Sequence, residues 1–332
     1  MWKNWVAALA LVPVVASGEP GELSAQEITI RFGLTDPLDT PYGQATVEFE
    51  RLVEDGSDGR IDVQLFPSAQ LGSIVEQLES VRQGAQEMSM ASPGWFSQFY
   101  PRMDMLELPF LVTDWDQAQR MLSSQAFQDL AKAAEEETDV LIYGKFPYGF
   151  RNIANSKRSI ETLEDLKGLK LRVQNSPAHL ATFQALGASP VALAWDETYQ
   201  AVQAGVVDGL ENANTVLLAN KFPEIARYVS TTHHLFGMLF AFMNPEFYDS
   251  LGEEDRALLD DAMRQAEAMN IELSLAAEKD AVEGLRELGA EINDVTPEVI
   301  GQMRAAVQPV YEEFGAQFQP ELGALQAAAQ QQ

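Results

Sequence analysis

The residues that could do chemistry in this chain are few, and three histidines come first: His179, His233 and His234. The last two are adjacent, so they would not share a helix face, and on a strand they would point to opposite faces. There is no HExxH, no Gly-x-Ser-x-Gly, no GxGxxG after the first strand and no P-loop. The absence of cysteine excludes disulfides, thiolate metal sites and cysteine nucleophiles. Acidic pairs abound, but among 50 Asp and Glu they carry little information, and Glu135-Glu136-Glu137 reads as a solvated helix end. No catalytic residue, cofactor or metal ligand is assigned. What remains is a set of cationic and amide side chains. Arg151 lies in Tyr148-Gly149-Phe150-Arg151-Asn152, Arg172 ends an apolar strand just before a helix, and Asn212 follows Gly209-Leu210-Glu211. Each sits near the C-terminal end of a strand, where open α/β sheets bind ligands. A guanidinium can grip a carboxylate with two parallel hydrogen bonds, and an Asn amide can read the same group or a neighbouring hydroxyl. On residue types and positions alone, surface ion pairs and a turn account for the pattern at least as well as an anion site.

The elements that must position these groups alternate. Residues 27–34, 60–66, 88–91 and 140–146 read as strands; 42–55, 74–83 and one long amphipathic run, 114–137, read as helices. A second series follows Arg151, with strands at 169–173, 190–193 and 206–210 and helices at 177–186 and from a cap at Asp196 to Ala204. This rhythm predicts an α/β fold with mainly parallel pairing. Residues 237–243 form a further strand. Residues 253–288 keep helical periodicity with no Pro or Gly before Gly284, long enough to link two lobes. The Gln- and Ala-rich tail after Leu325 reads as frayed.

Composition narrows the setting. Lys3, an apolar run from Trp5 to Val15 and Leu23-Ser24-Ala25 before Gln26 have the form of a cleavable export signal, residues 1–25. That run is too short to stay as an anchor, and no later stretch is apolar for long enough to span a bilayer. A periplasmic location is expected, and a chain of 332 residues can hold two domains. The net charge of −28 disfavours nucleic acid, which needs clustered Lys and Arg, and suits a saline habitat. It would also repel an anion at long range, although salt screens this beyond about 8–10 Å.

Five segments then occur in order: Phe66-Pro67-Ser68-Ala69-Gln70-Leu71-Gly72, Gly149-Phe150-Arg151, Leu166-Lys167-Gly168-Leu169-Lys170-Leu171-Arg172-Val173, Gly187-Ala188-Ser189-Pro190 and Val207-Asp208-Gly209-Leu210-Glu211-Asn212. Together they resemble the DctP-type receptors of tripartite ATP-independent periplasmic (TRAP) transporters, over essentially the whole chain after the leader. The resemblance implies a two-lobed binding protein with mixed, mainly parallel sheets, crossover hinge segments and a long lobe-spanning helix. Lobe I would hold residues 27–149 plus about 238–277, and lobe II 150–237 plus about 278–332. It implies that Arg172 holds a substrate carboxylate, that Asn212 orients the ligand, and that Arg151, Asn175 and Trp195 line the cleft. Thr35, Tyr42, Phe66, Ser92 and Trp95 complete the expected lining.

Departures from the family pattern bear on the ligand. Its sialic-acid branch carries polar or acidic groups where this chain has Thr35, Ile74 and Ser92, so sialic acid is not expected. Tyr42 in Thr40-Pro41-Tyr42-Gly43-Gln44 replaces a lysine of the C4-dicarboxylate branch. A hydroxylated monocarboxylate such as a sugar acid then competes with a dicarboxylate. The expected partners are that small carboxylate and the small and large membrane subunits of a TRAP permease, with the receptor a monomer. An ATP-driven transporter, a sensor kinase or a periplasmic enzyme acting on a carboxylate are the rival settings.

Overall fold

The computed structural model describes residues 28–331. The expected export signal and its cleavage point before Gln26 lie outside them. Strands β1 (Ile28–Gly33), β2 (Ile61–Phe66) and β3 (Met88–Ala91) run parallel in the order β2-β1-β3. Parallel neighbours need crossovers, here made by helices α1 (Pro41–Gly56) and α2 (Ile74–Arg82). Both helix starts are written locally. The Thr40 hydroxyl accepts from Gly43 N at 3.1 Å with Pro41 in the first turn, and Ser73 and Glu76 form a reciprocal capping box.

Beyond β3 come α3 (Pro93–Phe96), a 3-10 turn (Pro101–Glu107), α4 (Trp115–Ser123) and α5 (Gln125–Thr138). The single helix expected over 114–137 is thus two. Ser124 breaks it, because its hydroxyl accepts from Phe127 N at 3.2 Å and starts a new helix instead of continuing the old one.

Two long antiparallel strands, β4 (Leu141–Asn155) and β8 (Tyr228–Met243), run through the whole sheet. β3 pairs with the C-terminal half of β8. The far half of β4 carries β7 (Gly209–Ala213), which leads on to β5 (Lys170–Val173) and β6 (Ser189–Ala192). The order is β2-β1-β3-β8-β4-β7-β5-β6, with β9 (Glu291–Asp294) added to β8. Helices α6 (Pro177–Ala185), α7 (Trp195–Gln203) and α8 (Asn214–Ala219) punctuate the second half. The sheet is mixed, as expected, but its longest pairing is the antiparallel β4–β8 ribbon rather than a parallel one. Both ribbon strands extend well beyond the expected 140–146 and 237–243, through polar stretches whose side chains find partners inside the fold. β7 starts three residues later than expected, because Asp208 turns the chain by exchanging hydrogen bonds with the Lys170 main chain. α7 starts at Trp195 with Ala194 as its cap, so Asp196 belongs to the first turn and is not the cap.

The ribbon bends at its middle. Its register shifts between Pro147 and Gly149 and again between Arg151 and Ile153. Such bulges kink a strand and leave main-chain groups unpaired. The freed Pro147 carbonyl accepts from Asn270 Nδ2 at 2.8 Å and Ser274 Oγ at 3.2 Å. Gly149 takes φ +102°, and a Cβ on the facing Gly237 would stand 2.2 Å from the Tyr148 ring. Asn270 and Ser274 belong to α10 (Glu253–Glu287), which follows the short α9 (Pro245–Ser250). At 35 residues α10 is about 52 Å long. It meets α1 through Leu258 against Gly56 and α8 through Gly284 against Leu218.

Three last helices, α11 (Pro297–Ala306), α12 (Gln308–Phe318) and α13 (Glu321–Gln330), close the chain. The tail after Leu325 is therefore ordered helix and not frayed. Leu322, Leu325, Ala328 and Ala329 are buried in the core cluster or beside it, and the Arg120 guanidinium of α4 donates to the Ala329 carbonyl at 3.1 and 3.2 Å. Composition suggested fraying; a small-residue face packed on α4 and α5 outweighs it. Leu325→Ala is expected to cost about 2–5 kcal/mol in urea denaturation, and the exposed Gln330→Ala under about 0.5 kcal/mol.

Candidate ligand-binding site

The bend of the ribbon is the floor of a cavity of about 40 Å³, lined by Thr35, Asp36, Tyr42, Ile74, Ser92, Trp95, Tyr148, Arg151, Arg172, Gln174, Trp195, Asn212, Val216 and Leu239. At about 10–15 Å³ per water it holds a few waters. Hydrogen bonds between the two halves of the sheet close it over. Ser92 Oγ, after β3, donates to Gln174 Oε1 at 2.6 Å, and Trp195 Nε1 donates to Asp36 Oδ1 at 3.0 Å.

Arg172 dominates this cavity. It is 1% exposed, near the end of β5. Its Nε and Nη2 both donate to the Leu193 carbonyl, at 3.0 and 2.9 Å, and its guanidinium carbon stands 5.4 Å from the Trp195 ring centroid. Among the described residues no carboxylate forms an ion pair with it. Burial pulls its pKa down to about 10, against the upward pull of Glu211. Five N–H groups minus the two on Leu193 leave the outer end of the fork, the edge that can hold both oxygens of a carboxylate. Arg172 pairs with Leu210 across β5 and β7, so Asn212, two residues further, shares its face. The Asn212 Oδ1 accepts from Ala213 N at 2.9 Å.

Arg151 has the opposite status. Its Nε and Nη2 meet both Glu211 carboxylate oxygens at 2.6 and 2.7 Å, Nη2 also reaches the Glu211 carbonyl at 2.9 Å, and Nη1 meets the Tyr148 hydroxyl. Arg151 lines the cavity as expected of a cleft residue, but its fork is turned onto Glu211. Burial would raise the Glu211 pKa, but Arg151 and then His179 hold it well below the usual carboxylate range. His179 Nδ1 is 3.4 Å from Glu211 Oε1, an ion-pair contact with poor hydrogen-bond direction, and His179 Nε2 is 2.7 Å from Glu107 Oε2. His234 Nε2 lies 3.3 Å from Glu211 Oε2, and burial keeps its pKa low. On the other wall Asp36 Oδ1 accepts from Trp195 and from Asn220 Nδ2 at 3.3 Å. Burial raises the Asp36 pKa, partly offset by the neighbouring Tyr42, Asn220 and Trp195.

Of the residues read from sequence, Arg172, Arg151, Asn212, Trp195, Thr35, Tyr42, Ser92 and Trp95 come together here. Asn175 does not. It is exposed, and Gln174 lines the cavity in its place, because strand alternation puts residue 174 on the face of Arg172. Phe66 does not either: it ends β2, the outermost strand of its half, and is only half buried. Sequence reasoning missed Asp36, Tyr148, Gln174 and the Glu211–His179–His234 cluster. The i, i+2 spacing from Arg172 could have found Gln174. Among 50 acidic residues nothing marked Asp36 or Glu211.

Residues 32–317 match the family model described as DctP, bacterial extracellular solute-binding protein, family 7. The chain belongs to the DctP family. It is 31% identical over 281 residues, covering 84% of both chains, to the 2,3-diketo-L-gulonate-binding periplasmic protein YiaO of Escherichia coli K12. Among solved structures it resembles the sugar acid binding protein DctPAm of Advenella mimigardefordensis in complex with galactonate, with TM-score 0.89 and 26% identity over 92% of this chain and 98% of that one. It also resembles a TRAP periplasmic solute binding protein of Polaromonas sp. JS666 bound to D-erythronate, with TM-score 0.86 and 30% identity over 91% and 99%. The fold of this DctP-family chain is thus the two-lobed α/β architecture of those receptors.

The buried histidine gives a pH signature. Burial alone would lower the His179 pKa, but Glu211 and then Glu107 raise it from 6.5 to about 9. A folded-state pKa above the unfolded one contributes stability that is full below about pH 6.5 and lost as pH rises through about 9. His233 and His234 are held below 6.5 by burial and are already neutral across that window. Urea denaturation from pH 6.5 to 9 is expected to show a loss of up to about 3 kcal/mol, and His179→Gln to flatten the slope.

Proposed function

We propose that the protein is the extracytoplasmic receptor of a TRAP transporter, capturing a small organic acid in the cleft at the ribbon bend and delivering it to a two-component membrane permease. The observation that carries this reading is Arg172: a guanidinium 1% exposed, with a carbonyl and an indole for neighbours and no carboxylate partner among the described residues. An uncompensated buried cation costs several kcal/mol. A ligand carboxylate on the outer edge of its fork relieves that cost. Galactonate and D-erythronate in the two related structures are acids with the single carboxylate that this anchor would hold. Asn212 orients the carboxylate or a neighbouring hydroxyl, and Trp195 supplies the flat wall.

The receptor works by binding without turnover, outside the inner membrane, as a monomer built from the two lobes at 27–149 with 238–277 and at 150–237 with 278–332. The β4–β8 bend and α10 act as the hinge between them. Membership of a family of solute-binding receptors supports this, and the buried histidines His179 and His234 are tied to Glu211 and Glu107 rather than poised on the cavity. Arg172→Ala is expected to weaken organic-acid binding by at least about 2–3 kcal/mol in calorimetry. Arg172→Lys should fail nearly as badly, since an ammonium cannot reproduce the fork. Near-normal acid binding by the Lys variant would place the anchor elsewhere.

A further inference from the structure

The cavity has two poles. At one end stands Arg172, a cation with its outer edge unused. At the other stands Asp36, a carboxylate that lines the same cavity at 8% exposure. Trp195 fixes the spacing between them, its Nε1 on Asp36 Oδ1 at 3.0 Å and its ring centroid 5.4 Å from the Arg172 guanidinium carbon. The second arginine, Arg151, is already neutralised by the bidentate Glu211 pair. Arg172 is therefore the lining cation with no carboxylate on its fork among the described residues, a place for a single carboxylate, while Asp36 brings a negative charge to the other wall. Asp36 is held as an acceptor, because Trp195 and Asn220 both donate to its Oδ1. Its Oδ2 remains to accept from a ligand.

That remaining site discriminates. We propose that Asp36 is a specificity-determining residue: the cleft takes a carboxylate at Arg172 and a hydroxyl donor at Asp36, so the ligand is a hydroxylated monocarboxylate and dicarboxylates are refused. The proposal rests on the reading that Arg172 anchors the carboxylate, and adds what the other wall selects. A hydroxyl donates one hydrogen bond, which that open oxygen can accept. A second carboxylate brings only acceptors and a like charge to Asp36, and two carboxylates sharing a buried site cannot both stay ionised without cost. An alkyl acid leaves the Asp36 vacancy desolvated and empty. An ammonium brings three donors to a single open position.

The test is calorimetric titration of the full mature chain with four matched four-carbon acids, D-erythronate, succinate, butyrate and 4-aminobutyrate, with galactonate as a longer hydroxy acid and erythritol as the uncharged control. The wild type is expected to bind erythronate or galactonate at least tenfold more tightly than the other three acids. Asp36→Asn is expected to shrink the ratio of hydroxy acid to succinate affinity by at least tenfold. Because the readout is a ratio within one preparation, a partly folded variant does not distort it, and if the variant does not fold the wild-type order alone decides. Succinate or 4-aminobutyrate binding as tightly as the better hydroxy acid, no binding of either hydroxy acid, or a ratio changed less than threefold by Asp36→Asn overturns the proposal. If Arg172→Ala abolishes binding of every acid while Asp36→Asn leaves the ratio unchanged, Asp36 falls and the receptor reading stands. Erythritol binding as tightly as erythronate would bring down the carboxylate reading itself.

Discussion

The guanidinium of Arg172 is taken out of water and given a main-chain carbonyl and an indole in place of a carboxylate. Desolvating a cation this far costs several kcal/mol even after local relaxation, and the fall of its pKa to about 10 records the same penalty. The surrounding structure has to supply the compensation. Leu193 must present its carbonyl at the Nε edge, which requires β6 to lie parallel to β5 and the chain to turn into α7 directly after it. Trp195, the first residue of that helix, must then lie against the guanidinium while its Nε1 reaches across to Asp36. On the proposed reading, a carboxylate bound at this under-compensated cation adds stability to the folded protein.

Arg151 shows what a compensated arginine in the same cavity looks like. It has Glu211, with His179 and His234 around that carboxylate and Glu107 behind His179. Buried networks of this kind rigidify when every member is paired. Here the network spans the 3-10 turn, β4, α6, β7 and β8, so it ties the helices of one half to the ribbon where the ribbon bends. On the proposed reading the two arginines divide the labour: one fixes the frame and the other is left for the ligand. Residue type could not reveal the division. It depends on Glu211 and Asn212 being neighbours on β7, so that the acid serves one arginine and the amide shares a face with the other.

Legibility followed the range of the interactions. Helix starts at Thr40, Ser73 and Asp114 were readable, since a cap and its partner lie within three residues. The helix at 253–288 was readable too, because nothing in it interrupts the period. The long ribbon strands were not. Tyr148 to Asn155 and Thr231 to His234 look like loop by polarity, and become strand because Arg151, Asn152 and His234 find partners tens of residues away. The break at Ser124 was missed because amphipathic periodicity runs through it. In the site, Arg172 and Asn212 stood out as cationic and amide groups at strand ends. Asn175 was the wrong member of an adjacent pair, a slip of one residue that strand alternation turns into the opposite face.

An anion site inside a chain of net charge −28 asks how the ligand is tolerated at all. Distance answers most of it. Exposed carboxylates more than a Debye length away, about 8 Å at physiological salt, are largely screened. What the bound anion meets is decided by the few groups it touches, in a medium where their effect is far stronger than in water. Glu211 is not among the lining groups and is spent on Arg151 and the histidines, so its charge is answered locally. Asp36 is the acid in the lining, and Trp195 and Asn220 donate to it without bringing a positive charge. The acidity of the surface and the selectivity of the cleft are therefore separate matters. On the proposed reading the surface charge can vary with habitat, while the balance between Arg172 and Asp36 sets which anion the cleft accepts.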